Sequence, residues 1–180
     1  MSRYQEIIDK YYFENNKAKE ILITHGKVVC NKIFTILHNK PELKIDKNFI
    51  EEACMLHDIG IVYTNSPKIG CFGTFPYICH GYLGRELLEK ENLDNLALIA
   101  ERHTGAGLSE NEIVIKYLPL PHRDMIPITI EEQIVCFADK FFSKSKNITK
   151  EASLSEIRAE LSRYGNEQVS RFNQMCEIFL

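Results

Sequence analysis

Five helical stretches of this chain each set a histidine or aspartate on the face that otherwise carries apolar residues. His25 sits among Ile21, Val28 and Val29, and His57 shares a face with Ile50, Ala53 and Cys54, with Asp58 directly after it. His80 has Tyr77 before it and Leu83, Gly84 and Leu87 after it, His103 follows Leu96, Ile99 and Ala100, and Asp139 follows Val135 and Cys136. Residues three and four apart lie on one side of a helix, so folding such helices around a core buries all six polar groups. A single histidine on an apolar face is ordinarily a satisfied core residue, and a lone buried aspartate can be rescued by a salt bridge. Four imidazoles and two carboxylates buried together are another matter. An unpaired carboxylate loses several kcal/mol of solvation in an interior, and one or two divalent cations would offset that cost.

Helical periodicity dominates the chain, without internal repeats or low-complexity stretches. Helices are expected near 3–14, from about 17 to 38 with Asn16 as a cap, and from 47 to about 58 with Asp46 as N-cap. Further helices are expected at about 77–91, 94–103, 109–117, 129–144, 153–164 and 166–179. Pro67, Gly70, Gly73 and Pro76 make 61–76 a loop, and Pro119, Pro121 and Pro127 make 119–127 a second irregular stretch. No alternating strand is expected anywhere. The fold class is all-α: one bundle-like domain over 1–180 with about seven to nine helices, its last pair at 153–179 packing on the rest.

At 44% hydrophobic and 26% charged, the chain is an ordinary globular sequence rather than a disordered or fibrous one. Lys and Arg number 22 against 25 Asp and Glu, a formal net charge of −3, so strong nucleic-acid binding is not expected. The cysteines at 30, 54, 71, 79, 136 and 176 include no C-x-x-C pair, which leaves a zinc ribbon or thioredoxin motif unsupported. The N-terminus opens no apolar signal segment, and no apolar run nears the ~18 residues of a membrane span. A reduced, cytoplasmic protein without membrane partners is the expectation. His38, beside Asn39 and Lys40, is expected to be solvated, whereas His122 in a Pro-His-Arg-Asp loop can be exposed or near the mouth of a site.

The ordered set His25, His57-Asp58 and Asp139 resembles the H…HD…D motif of the HD superfamily of metal-dependent phosphohydrolases, over about residues 20–143. Met-Leu-His-Asp-Ile-Gly at 55–60 is the HDIG form, and Ala-Asp-Lys at 138–140 is similar to the family's closing aspartate. His80 in His-Gly-Tyr-Leu-Gly and His103 in Arg-His-Thr-Gly-Ala-Gly resemble the branch with two additional metal-site histidines. The GYP tripeptide of cyclic-dinucleotide phosphodiesterases is absent, and Ile61 stands where that branch carries lysine.

The resemblance implies one ion at His25, His57, Asp58 and Asp139, and a second at Asp58, His80 and His103, with Asp58 bridging. Ligands of nitrogen and oxygen without thiolate favour Fe, Mn, Co, Ni or Zn. The implied activity is hydrolysis of a phosphate ester by metal-activated hydroxide, with Asp58, His57, His80 and His103 as catalytic residues. The substrate expected is a small phosphorylated metabolite, foremost a nucleotide, and a homodimer is compatible with this reading. Arg85, Arg102, Arg123, Lys68 and Lys140 are the candidate phosphate contacts, each of which can equally be a solvated charge. Tyr63, Phe72, Phe75 and Tyr77 either stack a base or form a minor apolar cluster. The alternative is a catalytically silent nucleotide-binding or regulatory module of the same family.

Overall fold

Apolar residues at three- and four-residue spacing build nine α-helices among the described residues, which in this computed structural model are 1–12, 16–144 and 147–180, with residue 16 described for its backbone alone. In chain order they are α1 Arg3–Tyr11, α2 Asn16–Asn39, α3 Lys47–Leu56, α4 His80–Lys90, α5 Asp94–Arg102, α6 Glu110–Ile115, α7 Ile130–Asp139, α8 Leu154–Leu161 and α9 Asn166–Phe179. The all-α expectation holds. Residues 13 and 14 of the expected first helix, and the side chain of the expected cap Asn16, lie outside the described residues.

Start signals act where the sequence places them. The Asp46 carboxylate accepts from the amides of Asn48, at 2.8 Å, and Phe49, satisfying donors that the first turn of α3 leaves free. Ser109 and Ser153 form reciprocal capping boxes with Glu112 and Glu156. α7 stops at Asp139, five residues before the expected end at 144. From there the amides of Lys140 and Phe141 bond to the carbonyls of Phe137 and Ala138, three residues back. The Phe141 ring lies against Phe137, 5.1 Å between centroids, and is buried in the core.

The 61–76 segment departs from the expectation of a strandless loop. A 3-10 turn at Ile59–Tyr63 leads into two short antiparallel strands, β1 Asn65–Ser66 and β2 Cys71–Phe72, with Asn65 opposite Phe72. Between them Pro67–Ile69 forms another 3-10 turn, and Gly70, at φ 79°, reverses the chain. Two-residue strands are too short to leave an alternating pattern in the sequence. The expected helix at 77–91 likewise opens with a 3-10 turn, Tyr77–Cys79, before α4.

α2 packs on α3 and α7, and α4 packs on α5 and on the turn at 59–63. The core between them is aliphatic, with Val29, Ile33, Ile50, Leu56 and Ile134 fully buried. The C-terminal pair does more than cover this core. Phe172 and Phe179 of α9 lie 5.4 and 5.3 Å from the Phe137 ring. Gln168 accepts from the amide of Ala106 at 2.7 Å and donates to the carbonyl of Gly107 at 2.6 Å. Arg171 donates to both the Ala106 and Gly107 carbonyls and pairs with Glu112 at 2.6 Å. α9 thereby pins the Gly-Ala-Gly turn that follows His103.

The glycine after His57-Asp58-Ile59 is required by backbone contact. A Cβ on Gly60 would stand 2.2 Å from the carbonyl oxygen of His80 and 2.4 Å from the amide of Gly84, both backbone atoms of α4. Gly60→Ala must push α4 off the 59–63 turn. We expect it to destabilise the fold by about 3 kcal/mol in urea unfolding, the upper range for overpacking.

Candidate metal centre

All six inward polar residues converge, and five of them do so because they stand at helix ends. His57 and Asp58 follow α3, His80 opens α4, His103 follows α5 and Asp139 closes α7, while His25 projects from the middle of α2. The last carbonyls of a helix lack intrahelical donors. Two of the histidines cap them: His57 Nδ1 donates to the Cys54 carbonyl and His103 Nδ1 to the Ala100 carbonyl, each at 2.7 Å. His80 Nδ1 makes the same bond to the Tyr77 carbonyl of the preceding 3-10 turn, also at 2.7 Å. With Nδ1 carrying a proton, each Nε2 is turned inward, the orientation a metal ligand requires once that nitrogen is free of a proton. Three helix C-termini, with their partial negative charge, also point at the same place and favour a cation there.

The inward atoms form two donor sets joined at one carboxylate. His25, His57, Asp58 and Asp139 make the first and Asp58, His80 and His103 the second, with the donor atoms of each set within 4.8 Å of one another. Asp58 Oδ2 lies 3.2 Å from His57 Nε2 and 3.4 Å from His25 Nε2. Its other oxygen, Oδ1, lies 3.2 Å from His103 Nε2 and 3.5 Å from His80 Nε2. Asp139 Oδ1 reaches His25 Nε2 at 2.7 Å and His57 Nε2 at 3.5 Å. Asp58 is fully buried, and among the described residues neither its Oδ1 nor His57 Nε2 makes a hydrogen bond. A buried set of nitrogen and carboxylate oxygen donors without thiolate suits a borderline divalent ion such as Fe, Mn, Co, Ni or Zn.

Protonation follows from the same contacts. Burial disfavours the charged form of every group here. In His25 and His80 it prevails and brings them down to about 4 and about 3. In His57 burial is outweighed by Asp58 and Asp139, which push the imidazole up to about 9. Asp58 is held well below the usual carboxylate range against burial, chiefly by Lys144 and then His57, and Asp139 by Lys140 and Lys144.

Lys144 is the site residue the sequence did not single out. Its Nζ lies 2.8 Å from Asp58 Oδ2 and 3.5 Å from Asp139 Oδ1, and it faces the Tyr77 hydroxyl. The expected helix at 129–144 places Lys144 at its last position, whereas in the structure it lies beyond the end of α7, so helical spacing gave no sign of its approach to the site. Lys140, one of the candidate phosphate contacts, instead secures the outer oxygen of Asp139 at 2.8 Å and the His103 carbonyl at 3.2 Å. Tyr77 stacks on the His80 ring with centroids 4.7 Å apart.

The three arginine candidates for phosphate contact sit on protein carboxylates. Arg85 and Arg123 both pair with the buried Glu101, at 2.6 Å and 2.9 Å. Arg102 donates to both oxygens of Glu132 at 2.9 Å. Lys68, Tyr63, Phe72 and Phe75 are exposed, as are His38 and His122.

A known family matches this arrangement: the HD domain, over residues 28–143. The chain belongs to the HD domain family. An uncharacterized protein of Methanocaldococcus jannaschii is 34% identical to this HD domain over 152 residues, 82% of each chain. A tRNA (cytidine(56)-2'-O)-methyltransferase of Picrophilus torridus is 33% identical over 136 residues, 75% of this chain and 35% of that protein. The enzyme of the same name from Thermoplasma volcanium is 28% identical over 158 residues, 87% of this chain and 42% of that protein. The chain thus spans about a third to two fifths of the length of these two methyltransferases. No solved structure matches it. Among the described residues no helix is long and apolar enough to cross a membrane.

Because the Asp58 and Asp139 carboxylates push His57 up to about 9, a proton occupies its Nε2 at neutral pH and must leave before that nitrogen can bind an ion. Loading the first donor set at pH 7 to 8 should therefore release about one proton per ion from this group, with apparent affinity rising up to about tenfold per pH unit until pH approaches 9. Calorimetric Mn²⁺ titrations in buffers of different ionisation enthalpy count that proton.

Proposed function

We propose that this HD domain is a metal-dependent phosphohydrolase acting on a phosphate ester of a nucleotide or a related small phosphorylated metabolite. The observation that carries the reading is the pair of buried donor sets sharing Asp58. Divalent ions bound there would lower the pKa of coordinated water and stabilise the charge that develops on a displaced phosphoryl group. The chain's own residues hold that chemistry in place. The Nδ1–H bonds of His57, His80 and His103 fix the ring orientations, and Lys140 orients Asp139. Burial of all six donor residues restricts access of bulk water. Arg123, with a side chain 42% exposed while it still holds Glu101, and exposed Lys68 remain the loop cations proposed to meet the remote end of the substrate.

The two relatives named tRNA methyltransferases favour a second reading: a silent nucleotide-binding or regulatory unit of the kind that accompanies an RNA-modifying enzyme. Methyl transfer by this chain has no such support. The matched stretch is 35% of the Picrophilus protein, and a cluster of inward imidazoles and carboxylates is suited to holding cations rather than a methyl donor.

A screen of nucleotides, dinucleoside polyphosphates and sugar phosphates with protein reconstituted with Mn, Fe or Co separates the two readings. Ion-dependent phosphate release that falls at least about a hundredfold in Asp58→Ala is expected, because losing even the partner of a ligand costs 10- to 100-fold. Binding of a nucleotide without turnover under any of these ions supports the silent unit.

A further inference from the structure

We propose that Lys144 is the residue through which this centre recognises a phosphoryl group, and that it makes anion binding and metal binding mutually dependent. The proposal rests on the metal-dependent reading above and deepens it. Lys140 and Lys144 differ in what they touch. Lys140 holds the outer oxygen of Asp139 and a backbone carbonyl, so its role is satisfied within the protein. Lys144 is aimed at Asp58 Oδ2 and Asp139 Oδ1, the same two oxygens that face His25 Nε2 and His57 Nε2. An ion held by the first donor set and the Lys144 ammonium therefore share their carboxylates.

Charge follows from this sharing. With the imidazoles neutral, as ligands must be, the two carboxylates are already balanced by the two ammoniums. Every divalent ion then adds uncompensated positive charge at a buried site. Ion and ammonium repel one another unless an anion lies between them, and a phosphoryl group has oxygens enough to meet both. Lys144 can supply that contact from the solvent side. Its side chain is 12% exposed where Asp58 is fully buried, it stands beyond the end of α7, and its flexible stem lets the ammonium turn from carboxylate to phosphate. A neutral ester would leave the repulsion in place, so the same contact selects anionic phosphate esters.

By linkage, an anion that favours the ion must be favoured by it equally. The test is a calorimetric titration of Mn²⁺ into metal-stripped wild type, Lys144→Met and Lys144→Gln, each without and with inorganic phosphate, with thermal melts to identify folded protein. Wild type should bind Mn²⁺ roughly tenfold more tightly when phosphate is saturating. In the variants Mn²⁺ should bind more tightly than in wild type without phosphate, and the phosphate enhancement should shrink to about twofold or less. Lys144→Gln gives the same readout where Lys144→Met does not fold. Wild type without phosphate enhancement, or variants that keep the wild-type enhancement, overturn the proposal. These readouts need no turnover. Failure of ester hydrolysis with the enhancement intact would count against the phosphohydrolase reading and leave Lys144 as the anion contact.

Discussion

The hydrogen bond from a histidine Nδ1 to the carbonyl three residues earlier is the interaction on which this centre depends. His57, His80 and His103 each make it at 2.7 Å. For His57 and His103 it joins two needs: a carbonyl in the last turn of a helix lacks a donor, and a metal-binding imidazole must carry its proton on the nitrogen facing away from the ion. One bond satisfies both, so the ends of α3 and α5 present inward donor nitrogens without additional scaffolding. The close contact of Gly60 with α4 then sets the His80 backbone against the turn that follows Asp58, which is how Oδ1 comes within 3.5 Å of His80 Nε2.

The second constraint is charge. Two buried carboxylates would destabilise the fold without partners, and the protein supplies Lys140 and Lys144 to meet them. The cations further out are organised separately. Arg85 and Arg123 both pair with Glu101, and Arg102 with Glu132, linking α4, α5, α7 and the 119–127 stretch by ion pairs between buried carboxylates and partly exposed guanidiniums. The same arginines look like candidate phosphate contacts in the sequence because a list of cations near a motif carries no record of the acids folded opposite them.

Helix positions and inward faces were legible in the sequence because burial imposes a periodicity of three and four residues. Asp46 capped its helix as expected, and the six inward histidines and aspartates met in two sets. Three features left no periodic trace. The β1–β2 hairpin is too short to alternate. α7 stops at Asp139, where the amides of Lys140 and Phe141 take carbonyls three residues back, while Phe141 still packs on Phe137 four residues earlier as a continuing helix would also have it. Lys144 follows that stop, so its approach to Asp58 depends on a turn that local pattern does not encode. The hold of α9 on the Gly-Ala-Gly turn is likewise a contact across 61 and 62 residues of sequence.

The central claim is that one buried carboxylate, Asp58, serves two donor sets at once. Anomalous diffraction from crystals of the Mn²⁺-loaded protein tests it most directly. The account predicts two peaks about 3.5–4 Å apart, one bounded by His25, His57, Asp58 and Asp139 and the other by Asp58, His80 and His103. A single peak, or peaks that do not flank Asp58, would contradict it.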